Sequence, residues 1–79
     1  MDFNRAYQMS RAVQLIKDAK AILDEIAPEE RKVYDELLIQ APNAPNIKEF
    51  ESNAGDLEMA NDCLTDSLEW LARVAVPNR

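Results

Sequence analysis

Phe50-Glu51-Ser52-Asn53-Ala54-Gly55-Asp56-Leu57-Glu58-Met59-Ala60-Asn61-Asp62-Cys63-Leu64-Thr65-Asp66-Ser67-Leu68-Glu69-Trp70-Leu71 decides the fold of this 79-residue chain. Phe50, Leu57, Leu64 and Leu71 recur every seven residues, and Ala54, Leu68 and Ala75 fill the adjoining row. A strict seven-residue apolar repeat is the mark of a helix that packs lengthwise against another. Gly55 is the weak point, since Gly costs roughly 0.5–1 kcal/mol relative to Ala inside a helix. The repeat predicts a long helix over about 47–76, ended by Pro77.

Upstream, Phe3 to Ile26 contains no Gly or Pro, and Met9, Ala12, Ile16, Ala19, Leu23 and Ile26 alternate in steps of three and four. That spacing predicts a first helix over about 3–26. Val13, Leu15 and Ile22 widen its apolar stripe beyond what one neighbour can cover. Pro28 lacks an amide donor and disfavours the α region at Ala27, so a break or kink is expected there. A short middle helix over about 28–40 follows, with Val33, Tyr34, Leu37 and Leu38 on one face. Ala41-Pro42-Asn43-Ala44-Pro45-Asn46 reads as a loop, and Asn46 with Glu49 as a capping box.

The expected fold is therefore one all-α domain over residues 1–79, an elongated helical hairpin with a short middle helix. A hairpin buries one stripe per helix, so assembly into an oligomeric bundle is expected to cover the rest.

Composition narrows function. With 9 Lys+Arg against 15 Asp+Glu the formal charge is −6, which argues against a DNA duplex or an anionic membrane as partner. His is absent and Cys63 is the only cysteine, which removes His-based acid–base catalysis, the usual zinc sets and any internal disulfide. A non-enzymatic chain with no catalytic residues, no cofactor and no metal is expected. The opening residues are too polar for a signal peptide and no run is apolar enough to span a bilayer, so a cytoplasmic location is expected. Asp66-Ser67-Leu68 matches the tripeptide that carries phosphopantetheine in carrier proteins, but Ser67 lies inside the repeat with only a dozen residues after it. It reads as an ordinary helix-surface serine. Trp70 is expected in the core and Cys63 as a small buried hydrophobe.

Two sets of side chains carry binding chemistry. Phe3 and Tyr7 stand near the start of a helix that also holds Arg5, Arg11, Lys17 and Lys20. Aromatics that stack on bases beside cations that meet phosphate are the minimum needed to grip a nucleotide. The bland alternative is that both aromatics anchor the first turn while Arg11 and Lys17 pair with nearby acids. The second set runs from Glu49 to Glu69, a stretch with seven acids and no base, in which Asp56, Asp62, Asp66 and Glu69 offer an acidic face. Such a face can imitate nucleic-acid phosphate and capture a basic host protein, or it can simply be solvated; a Mg²⁺ or Ca²⁺ site is the weakest reading, since hard cations need ligands converging from several directions or a shaped loop.

Leu15-Ile16-Lys17-Asp18-Ala19-Lys20 in a first helix, followed by a helix closing Leu64-Thr65-Asp66-Ser67-Leu68-Glu69-Trp70-Leu71-Ala72-Arg73-Val74-Ala75-Val76-Pro77, resembles the helical-hairpin domain of phage anti-CBASS and anti-Thoeris proteins. The resemblance covers about a third of the chain. It implies a sponge that binds a cyclic oligonucleotide signal without cleaving it, in the host cytoplasm. It makes Lys17 the phosphate-binding cation, with Phe3 or Tyr7 in the stacking role, although the family's tyrosine precedes that lysine by more residues than Tyr7 does. Arg73 falls near a late arginine of the family after a one-residue shift, and Asn61 and Thr65 are further polar candidates. The segment from Pro28 to Asn46 is longer than the family's, and the last helix is acidic. The alternative partner is a basic host protein bound through the acidic face.

Overall fold

The computed structural model describes residues 3–74. Among them the chain forms two helices, α1 (Phe3–Gln40) and α2 (Ile47–Ala72), joined by one reverse loop. They pack as an antiparallel hairpin 63 Å long and about 16 by 14 Å across. The long dimension is close to that of α1 alone, since 38 residues at a rise of 1.5 Å make roughly 57 Å.

The expected break at Pro28 is absent, and the first and middle helices are one. Proline's fixed φ suits a helix; what it removes is one amide, here the partner of the Asp24 carbonyl. Pro28 is exposed on the flank of the seam, while its neighbour Ala27 is among the most buried residues, at 3% exposure. Packing along the shared seam on both sides of Pro28 outweighs the lost bond, because tertiary contact rather than propensity sets helix limits.

The inward face of α1 is Ala6, Met9, Val13, Ile16, Lys20, Leu23, Ala27, Glu30, Tyr34 and Leu37, in unbroken steps of three and four. This corrects the expected seam, for Ala12 and Ile26 are exposed and Val13 and Ala27 take their places. The first helix is apolar over more than one face, so spacing alone could not say which row turns inward. On α2 the inward residues are Ile47, Phe50, Ala54, Leu57, Asn61, Leu64, Leu68 and Leu71. Phe50, Leu57, Leu64 and Leu71 thus do what their repeat requires.

Among the described residues only Ala27 and Ala54 are buried, and no large side chain is fully enclosed. The core is a half-buried stripe.

The loop is held by Ala41 N–H to the Leu37 carbonyl at 2.7 Å, Ala44 N–H to Ala41 at 2.9 Å and Ile47 N–H to Ala44 at 3.2 Å. The capping box does not form. Asn46 makes no side-chain cap, and the Glu49 amide instead donates to the backbone carbonyl of Asn46 at 3.1 Å. At the other end α2 stops at Ala72 and Arg73 lies in the turn beyond it, donating its amide to Trp70 at 3.1 Å. The expected continuation to residue 76, with Ala75 and Pro77, lies outside the described residues.

Candidate functional site

Among the described residues, cross-helix polar contacts lie within the seam, at Lys20 and Asn61, and on one flank of it. Asp24 and Arg31 follow the inward residues Leu23 and Glu30, while Glu51 and Glu58 follow Phe50 and Leu57. In an antiparallel pair these two rows meet on the same side.

Here Arg31 donates to Glu58 through Nε to Oε2 at 2.9 Å and Nη2 to Oε1 at 2.7 Å. The guanidinium also lies 5.6 Å from the Tyr34 ring centroid, and the Tyr34 hydroxyl donates to Glu51 at 3.2 Å. Arg31 holds the Glu58 carboxyl below its ordinary range. Partial burial, with the Glu51 charge, pushes the Tyr34 phenol up.

One turn toward the helix ends is a second polar layer. Lys20 Nζ donates to Asp24 at 3.1 Å and to Asn61 Oδ1 at 3.3 Å, and Asn61 Nδ2 donates to Asp24 at 2.7 Å. The Asn61 hydrogen bond, then Lys20, holds the Asp24 carboxyl below its ordinary range. Asn61 is thereby spent within the seam, and the Thr65 hydroxyl is spent on the Asn61 carbonyl at 3.2 Å. The two candidates are thus engaged within the hairpin, Asn61 against the facing helix and Thr65 against the preceding turn of its own. Asp24, Ala27, Pro28, Arg31, Glu58, Asn61 and Asp62 line a shallow open groove of about 360 Å³ along this flank. Every charged group lining it except Asp62 already has a partner among the described residues.

The N-terminal half of α1 differs. Phe3 is 90% exposed, so it does not anchor the first turn, and Tyr7 is 55% exposed. Arg11 and Lys17 are exposed and have no carboxylate within ion-pair distance among the described residues. Gln14, between them, donates to Asp18 at 2.9 Å. Tyr7 and Lys17 are ten residues apart, roughly 15 Å along the helix axis, and Phe3 is roughly 21 Å from Lys17. The structure therefore brings Tyr7, Arg11 and Lys17 onto one stretch of helix without gathering them round a single point.

Arg73 is stacked on Trp70, with its guanidinium carbon 4.6 Å from the ring centroid. Trp70 is 66% exposed, and Cys63 is exposed, which corrects both core assignments. The row that carries Cys63 and Trp70 lies beside the leucine row rather than within it.

The acidic residues divide. Glu51 and Glu58 are engaged across the hairpin, whereas Asp56, Asp62, Asp66 and Glu69 are exposed and unpaired among the described residues. Among the described residues no three Cys, Asp or Glu side chains gather as a metal ion would require, and no helix is long and apolar enough to cross a membrane. No family model, curated protein or solved structure matches this chain.

Proposed function

We propose that this chain is a non-catalytic binding protein that sequesters a nucleotide-type ligand, of the cyclic-oligonucleotide class, along the first half of α1. The observation that carries the reading is the exposure of Phe3 and Tyr7 on the same stretch of helix as Arg11 and Lys17, two cations without a carboxylate partner among the described residues in a chain of net charge −6. An aromatic that is 90% exposed contributes little to folding, and a cation left unpaired among so many acids is open to phosphate. Stacking plus phosphate contact needs no pocket. The spacing from Tyr7 to Lys17 suits a ligand with more than one base and more than one phosphate.

Thermal unfolding against a panel of cyclic di- and trinucleotides tests this. A ligand that binds only the folded state, at about 100 times its dissociation constant, adds roughly 2.7 kcal/mol. The expected result is a shift of several degrees with one member, lost in Lys17→Ala and weakened in Tyr7→Ala. A flat response across the panel overturns the reading.

A second reading rests on a separate observation, the exposed and unpaired Asp56, Asp62, Asp66 and Glu69. An edge of this kind suits an inhibitor or adaptor that takes a basic protein by imitating phosphate. Neutralising Asp62, Asp66 and Glu69 together would abolish such binding and leave nucleotide affinity intact.

A further inference from the structure

Opposite the polar layers, the flank of the hairpin is apolar along the stretch from Ala12 to Ile26, whereas toward the loop the same rows hold Glu29, Glu36, Asn53 and Asp56. On α1 the residues just before the seam, with those beside them, are Ala12, Leu15, Ala19, Ile22 and Ile26. Leu15 is 57%, Ile22 59% and Ile26 40% exposed. On α2 the matching rows hold Ala60, Cys63, Ser67, Trp70 and Val74, with Trp70 66% and Val74 43% exposed. The contact between Asp24 and Asn61 fixes the heights. Counting away from it in opposite directions puts Ile22 level with Cys63 and Leu15 level with Trp70, so the two stripes form one face near the open end of the hairpin.

We infer that a second copy of this chain covers that face, so that two hairpins make a four-helix bundle. Area supports it. A compact chain of 9.0 kDa exposes about 4,900 Å² by the usual scaling with mass, whereas this one exposes 6172 Å². The surplus, about 1,300 Å², exceeds the roughly 800 Å² that each partner gives to a standard stable interface. The hairpin also needs the cover for itself. With no large side chain fully enclosed, the cover must be at hand wherever the chain folds, and its own copy meets that condition where a separate partner does not. The inference does not rest on the nucleotide reading.

Sedimentation equilibrium over a dilution series tests it with the full chain. The expected mass is two chains or a multiple of two, falling to a single chain in Ile22→Glu. In Ile39→Glu it is expected to stay unchanged, although Ile39 is more exposed, at 82%, because it lies off this face. Since Ile22→Glu can also cost folding, the unaltered protein supplies an independent readout: alkylation of Cys63 slows, and quenching of Trp70 weakens, as concentration rises. A helical single chain at every concentration overturns the inference. So does an assembly with an odd number of chains, or one that Ile22→Glu leaves intact while Cys63 and Trp70 stay accessible.

Discussion

Arg31 clasps Glu58 with two parallel hydrogen bonds of 2.9 and 2.7 Å, and so ties the middle of α1 to the middle of α2. The planar fork of a guanidinium fits a carboxylate in one orientation, which makes the contact a fixer of register as much as a source of stability. Asp24, on the same flank, is tied across the hairpin by the Asn61 amide and steadied on its own helix by Lys20.

Acid is expected to loosen the hairpin. The Asp24 and Glu58 carboxyls are both held below their ordinary range. Each therefore adds stability above the unfolded carboxylate pKa of about 4, and that stability is lost as pH falls through the lower folded value. Circular-dichroism melts across this range should show the midpoint dropping on the acid side, with a shallower drop in Glu58→Gln. Equal slopes in the two proteins would separate Glu58 from the acid response.

Gly55→Ala is expected to stabilise by about 0.5–1 kcal/mol. A Cβ built at Gly55 meets nothing within 4 Å, and its backbone does not have positive φ. Denaturant unfolding would show a higher midpoint at unchanged slope.

Pro28→Ala restores the amide that the Asp24 carbonyl lacks, and Pro28 is exposed, so no packing is given up. A gain of about 1–3 kcal/mol is expected, the upper end being the usual penalty of an interior proline. Amide exchange should slow at residue 28 and its neighbours. A loss of stability would show that a kink at Pro28 fits α1 to its partner.

Lys20→Leu combined with Asn61→Leu turns the polar layer apolar. Polar residues at seam positions hold register at a cost in stability. The double variant is expected to melt several degrees higher and to sediment as a broader mixture of species. A single sharp species would show that Arg31 and Glu58 suffice to set the register.

The helical architecture was legible in the sequence because the leucine repeat of α2 allows one inward row, and that row is the one observed. In α1 two apolar rows with the same spacing compete. The choice between them depends on what Ala27 and Lys20 meet across the hairpin, which no single helix records. Pro28 read as a boundary because local propensity is blind to the seam that continues past it. Of the candidate site, the engagement of Asn61 depended on knowing which residues it faces across the hairpin, whereas the Thr65 hydroxyl meets the Asn61 carbonyl one turn back on its own helix, a local bond open to any helical threonine. Arg31 and Glu58 were missed. Their signal was present, since each directly follows a seam position, but it could be read only once α1 ran unbroken through Pro28.

The single reverse loop at residues 41–46 bears on how the molecule forms. Every contact between α1 and α2 is closed through that loop, so pairing can grow outward from Leu37 and Ile47, one layer at a time, each step closing only a short additional span. Tyr7 and Lys17, like Leu15 and Trp70, lie at the far end of this zipper, where pairing is completed last and frays first. A ligand or a second hairpin that engages that end would therefore slow its opening most, and hydrogen exchange would report the engagement there before it appeared near the loop.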